Sequence, residues 1–201
     1  MTWLRGRLTC RRPNEPEPGN TGGGKTNTNK NESKFSTRII AEISIFVALS
    51  TALSFITFAV FPQGGSVTAG SMVPMLWLAL RRGPKIGIFA GAVYGFVQLA
   101  VMPQIYYPAQ VLLDYPLAFG CLGLAGFFKK IPLVGVVVAT SGRFVMHFIS
   151  GVLFFAQYAS EGMSPIVYSA LYNGSYLIPE MAISLFIVYL LKVSKVLNSY
   201  L

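Results

Sequence analysis

Charge is the scarcest property of this 201-residue chain: 11% of its residues are charged, against 53% hydrophobic ones. A soluble domain carries about 25% charged residues. What charge exists is unevenly spread. Residues 1–37 hold seven Lys/Arg and three Asp/Glu, and the much longer stretch 38–201 holds only nine and four. So few charges exclude a water-solvated globule there and imply a segment solvated by lipid. The formal net charge of +9 does not point to nucleic acid, because the positive charge in the apolar part falls mostly in short connections. Cysteine is nearly absent as well. Cys10 lies in a polar tail and Cys121 inside an apolar stretch, which gives no basis for a disulfide framework. A single histidine, His147, with so few acids excludes a multi-histidine metal centre, so neither metal nor cofactor is expected. Within residues 38–201 there is also no nucleophile elbow, no metal-ligand spacing and no phosphate-binding loop.

Residues 1–37 are rich in Gly, Asn, Thr, Pro, Glu and Lys and have almost no aliphatic residues after Leu8, the composition of a disordered polar tail. Their basic start lacks the apolar core of a signal peptide and is not read as a targeting sequence. From Arg38 onward six apolar runs follow: Ile39–Phe61, Ser71–Leu80, Ile86–Val101, Ala109–Phe128, Pro132–Tyr158 and Ser164–Leu191. A membrane span needs about 20 residues, so the second run is short for a straight crossing. Pro62–Gly70 is a loop by composition. The expected fold is all-α, an integral membrane bundle of six transmembrane helices over residues 38–201. Lys34 and Arg38 precede the first run, and Arg81, Arg82 and Lys85 follow the second. Lys129 and Lys130 follow the fourth, and Lys192 and Lys195 the sixth. The alternate connections 62–70, 102–108 and 159–163 contain no Lys or Arg. The positive-inside rule then places both termini in the cytoplasm of a multi-pass cell-membrane protein.

Ionisable residues inside membrane helices are costly and by default mark function. The candidates are Glu42, Asp114, Arg143, His147 and Glu180. Glu42 lies within a turn of the inner surface and reads as a solvated helix end near Arg38. Arg143 and Glu180 lie toward the cytoplasmic side, where they are placed to pair with each other. Asp114 and His147 fall in the outer half at ~8 Å and ~16 Å from their helix ends, at 1.5 Å per residue. The last helix adds Tyr168, Tyr172, Asn173 and Tyr176, while His147, Gly151, Phe154 and Tyr158 share one helix face. These residues read as a polar, aromatic pocket open to the outside; the competing reading is inter-helix hydrogen bonding with an interfacial tyrosine belt. With no Lys or Arg expected in the outer half, a phosphate would find no partner there. One buried acid among rings favours a cationic aromatic ligand. A second feature is Ala48-Leu49-Ser50-Thr51-Ala52, whose small residues four apart form a strip that lets another helix approach.

The stretches GSVTAGSMVPMLWLALRRGPKIGIFAGAVYGFVQL, YYPAQVLLDYPLAFGCLGLAG and RFVMHFISGVLFFAQYASEGMSPIVYSALYNGSYLIPE resemble the thiamine-specific S-component of energy-coupling factor transporters, from about residue 38 to the end. The resemblance implies a non-enzymatic, six-helix subunit that binds thiamine from outside. It delivers thiamine across the membrane together with a transmembrane coupling subunit and two ATPase subunits. By the same resemblance Asp114 is the acid that recognises the thiamine rings, with Tyr115 beside it, and His147, Tyr168 and Asn173 belong to the site. Phe155 stands where the family carries a stacking tryptophan, and Pro62–Gly70 lacks the family's tryptophan, which leaves a lid contact to a residue such as Tyr107. Ala48 and Ala52 match the motif by which such subunits dock on the coupling subunit. The rival readings are an S-component for another vitamin or for a thiamine precursor, and a small membrane enzyme using Asp114 and His147. Membrane lipid is an expected partner; nucleic acid is not.

Overall fold

A computed structural model describes residues 37–194. The polar tail, except Thr37, and Lys195 lie outside the described residues. Six helices follow in order: α1 (Thr37–Ser54), α2 (Val73–Arg82), α3 (Pro84–Val101), α4 (Pro108–Phe128), α5 (Pro132–Phe154) and α6 (Pro165–Val193). Each helix after α1 carries proline at its first or second position: Pro74, Pro84, Pro108, Pro132 and Pro165. There the missing N–H sacrifices no hydrogen bond and the fixed φ suits the helix. All but α2 are long and apolar enough to cross a membrane. The 10 residues of α2 span only ~15 Å at 1.5 Å per residue. It is buried nearly all round, with Met75, Leu76, Leu78, Ala79 and Leu80 in the core beside Tyr94, Leu122 and Val136. Large apolar side chains such as Phe89, Phe96, Phe127, Leu171 and Phe186 point outward, as lipid-facing residues do.

The first apolar run does not continue as helix to Phe61. After Ser54 the chain forms a two-stranded antiparallel ribbon, β1 (Thr57–Val60) and β2 (Ser66–Thr68), in the register Thr57↔Thr68, Ala59↔Val67, Val60↔Ser66. Thr51 and Ser54 donate to the carbonyls of Val47 and Thr51, a side-chain competition with the backbone that weakens a helix end. The β-branched and aromatic residues beyond then favour an extended chain. Composition alone reads this region as helix followed by loop.

The seam between α3 and α4 is very close. A Cβ at Gly91 would lie 2.3 Å from the carbonyl oxygen of Phe119, and one at Gly95 would lie 2.5 Å from that of Tyr115. Small residues four apart let membrane helices touch backbone to backbone. Within α4 the turn Leu113–Leu117 is a π-helix, with the Ala118 N–H bonded to the Leu113 carbonyl five residues back. Pro116, inside it, has no N–H to give, and a widened turn accommodates the gap. Asp114 sits in that turn.

At one end of the bundle the cations gather. Glu42 of α1 is held by Arg82 through two hydrogen bonds, Nε to Oε2 at 2.7 Å and Nη2 to Oε1, while Arg38 and Arg81 approach it at 3.8 and 3.9 Å. The expected solvated helix end is thus an ionic clamp between α1 and α2. The Lys129 ammonium donates to the Arg81 carbonyl at 3.2 Å, joining the α4–α5 turn to the same end.

Candidate ligand-binding site

Toward the opposite end lies a cavity of about 480 Å³, lined by side chains of α4, α5, α6 and the β1–β2 ribbon. Its polar centre is the Asp114 carboxylate. Asp114 Oδ1 meets His147 Nδ1 at 3.0 Å, while Oδ2 accepts from Gln110 Nε2 at 2.7 Å and from Ser150 Oγ at 2.9 Å. On the far side of the imidazole, Arg143 Nε donates to His147 Nε2 at 3.3 Å. A guanidinium can only donate, so Nε2 is the acceptor, and Nδ1 carries the hydrogen given to Asp114. The Arg143 guanidinium also lies over the Phe119 ring, 4.2 Å from its centroid.

The other expected residues fall around the same space in different ways. Tyr115, Phe155, Tyr168 and Asn173 all line the cavity. The Tyr115 hydroxyl donates to the Met102 carbonyl and accepts from the Gln104 N–H, both at 2.8 Å, so it fastens the α3–α4 connection. Phe155 closes α5 and meets Tyr106 edge-on at 5.2 Å. Tyr107 instead packs on Phe154. Tyr168 stacks on Tyr172 at 5.9 Å. The Asn173 amide donates to the Ser169 carbonyl at 2.9 Å on its own helix and to the His147 carbonyl of α5 at 3.3 Å, and its Oδ1 accepts from the Tyr176 hydroxyl at 2.7 Å, so it ties α6 to α5 as well as lining the space. Tyr168 and Asn173, five residues apart on α6, both reach the cavity because it is wide. Ala48 and Ala52 are not part of its lining and are exposed on α1.

Three features differ from the expectations. Arg143 is not below the site but part of its lining, and Glu180 is not its partner: Glu180 Oε1 accepts from Thr68 Oγ1 at 2.6 Å and Ser71 Oγ at 3.1 Å. Helix α5 ends at Phe154, four residues before Tyr158, which moves His147 from ~16 Å to ~10 Å from the helix end and level with Asp114. Gly151 lines the cavity with the histidine and also admits α6, since a Cβ there would lie 2.2 Å from Ser169 Oγ. Gln110, Ser150 and Ser169 escaped the sequence reading. Gln110 precedes Asp114 by four and Ser150 follows His147 by three, the spacings of neighbours on one helix face.

Over the mouth, the Tyr172 hydroxyl donates to the Pro62 carbonyl and accepts from the Gly65 N–H at 3.1 Å, pinning the ribbon's turn to α6. Phe61 packs against Tyr172 and Tyr176 at 6.5 and 6.1 Å.

A helical membrane bundle with an interior polar cavity, roofed by its own ribbon, belongs to the class of membrane proteins built to hold a small molecule. Residues 40–198 match the family model described as Thiamine transporter protein (Thia_YuaJ), and the chain belongs to that family. It is 33% identical over 180 residues to thiamine transporter ThiT of Bacillus subtilis (strain 168), covering 80% of this chain and 93% of the relative. It is 30% identical over 156 residues to thiamine transporter ThiT of Lacticaseibacillus paracasei, covering 68% and 77%. The fold superposes on the solved structure of ThiT from Listeria monocytogenes with a TM-score of 0.72 at 28% identity, covering 80% of this chain and 97% of that one. These relatives are named as transporters, not enzymes.

Proposed function

We propose that this protein binds thiamine in the cavity from outside the cell and passes it inward with a transmembrane coupling subunit and two ATPase subunits. The supporting observation is the state of Asp114. A carboxylate offers about four acceptor positions, and Gln110, His147 and Ser150 occupy three. One remains for a donor on a cationic aromatic ligand, with Phe155, Tyr168, Tyr172 and Tyr176 supplying rings around it. The volume of about 480 Å³ lies within the 300–1,000 Å³ or so of small-molecule sites. The names of the relatives supply the substrate. In this reading Asp114 contacts the ligand, His147 orients it, Asn173 and Tyr168 frame it, and Tyr115 fixes the adjoining connection. The basic end then faces the cytoplasm, with both termini.

Titration of the purified protein with thiamine tests the substrate, and absence of saturable binding by a folded, monodisperse sample would sink it. Docking is tested by replacing exposed Ala48 and Ala52 with leucine. Bulk on that strip holds a partner helix away, so thiamine binding is kept while uptake by cells expressing all subunits is lost. Normal uptake removes the docking role; loss of binding as well places the strip inside the bundle.

A further inference from the structure

Most polar groups around the cavity are spent on one another. The Gln110 amide donates to Asp114 Oδ2 at 2.7 Å and to the Gln104 carbonyl at 3.1 Å, and its oxygen accepts from the Tyr106 N–H at 3.2 Å. Asn173 likewise uses both ends of its amide. Gln98 is different. It is buried near the end of α3 and also lines the cavity.

The direction of its amide follows from its neighbours. Gln98 Nε2 donates to Ser54 Oγ at 3.0 Å and to the Tyr94 hydroxyl at 2.9 Å. Each of those hydroxyls has one hydrogen to give, and each gives it to a backbone carbonyl: Ser54 to Thr51 at 2.7 Å, Tyr94 to Ser50 at 3.3 Å. Toward Gln98 both can therefore only accept. Turning the amide over would set its oxygen against two oxygens with no hydrogen between them. Both amide hydrogens are thus committed to Ser54 and Tyr94, and the oxygen is left on the other side. Among the described residues no group donates to that oxygen, and no packing seals it off. Burying an amide costs free energy unless its polar atoms find partners. Here the chain provides for the donors and leaves the acceptor to the space a ligand fills.

We propose that Gln98 is a ligand-contacting residue: its amide oxygen, held in place by Ser54 and Tyr94, accepts a hydrogen bond from the solute in the cavity. The inference rests on the thiamine reading above and deepens it. With Asp114 on α4 and Gln98 on α3, the site presents two acceptors, one charged and one neutral. The solute they fit carries two donors, and thiamine has an exocyclic amine and a hydroxyl. An analogue with an acceptor in place of the donor sets oxygen against oxygen, so Gln98 selects as well as grips.

The test is affinity for thiamine and for two analogues, oxythiamine with oxygen in place of the amine, and a thiamine with chlorine in place of the hydroxyl. Gln98→Met keeps the length of the side chain and removes the amide. It is expected to weaken thiamine about two- to tenfold, the worth of one neutral hydrogen bond, and to leave the affinity of at least one analogue unchanged. That analogue lacks the donor that Gln98 holds. A residue that only braces α3 against α1 would weaken all three ligands alike. Equal loss for all three, or no loss for thiamine, overturns the proposal. Should Gln98→Met fail to fold, Gln98→Asn keeps an amide but withdraws it by one carbon, and the same outcomes decide. If the unmodified protein binds no thiamine, the substrate reading fails and this inference falls with it. If thiamine binds and the variant binds it equally, only Gln98 is removed from the site.

Discussion

Between α3 and α4 the chains meet at glycines, with Gly91 and Gly95 against the carbonyls of Phe119 and Tyr115 and no side chain in between. Among α4, α5 and α6 they meet through side chains, with Asp114, His147, Ser150, Ser169 and Asn173 linked into one hydrogen-bonded cluster. In lipid neither seam gains from expelling water, since the tails are as apolar as leucine. The first seam gains from dense contact and has no room for a guest. The second lets α5 and α6 close on each other at Gly151 but carries polar arms toward α4, and the space beside those arms is the cavity. One bundle thus separates rigidity from reception by choosing shape at one seam and polarity at the other.

The sharpest way to break that contrast is to put bulk into the glycine seam. Gly91→Leu would drive its Cβ into the Phe119 backbone, and overpacking of this kind is expected to cost about 3 kcal/mol or more. Size-exclusion and thermal unfolding should show loss of the folded monomer; an unchanged unfolding temperature would mean the seam is loose. At the polar seam the expected loss is in binding. Asp114→Asn keeps the shape but removes the charge, and a charge-assisted bond is worth about 1.5–3 kcal/mol, roughly tenfold to over a hundredfold in thiamine affinity. Unaltered affinity would remove Asp114 from the site. A smaller effect is expected at the roof. Tyr172→Phe deletes the hydroxyl that ties Gly65 and Pro62 to α6, and loss of about 0.5–1.5 kcal/mol should weaken retention roughly two- to tenfold, read as faster thiamine dissociation. If dissociation is unchanged, the ribbon is held by Phe61 and Glu180 without this contact. The smallest change is Phe155→Trp. A larger ring should leave affinity unchanged or modestly raise it if the position stacks on ligand. More than tenfold weakening in an intact protein would make Phe155 a packing residue only.

Much of this was legible in the sequence because lipid imposes simple rules. Apolar length marked most of each span. The cations between runs marked one end, and the rarity of Asp114 and His147 singled them out. What escaped was local geometry that no period encodes. The ribbon at 57–68 is apolar enough to pass for helix, and only its pairing register betrays it. The early end of α5 puts His147 level with Asp114, and with it Arg143, one turn below, enters a lining whose sequence shows no reason for a cation. The π-turn at Leu113–Leu117 rotates every later residue of α4 away from where an ideal helix would put it. Glu180 was visible as an ionisable group, but its partners Thr68 and Ser71 lie more than a hundred residues away and are ordinary hydroxyls.

The bond from Arg143 through His147 to Asp114 has a direction, since the guanidinium gives, the imidazole accepts at one nitrogen and gives at the other, and the carboxylate only receives. Traffic of hydrogen along it runs one way and stops. The line therefore ends at Asp114, whose one unfilled acceptor position, of about four, stays open to a further donor.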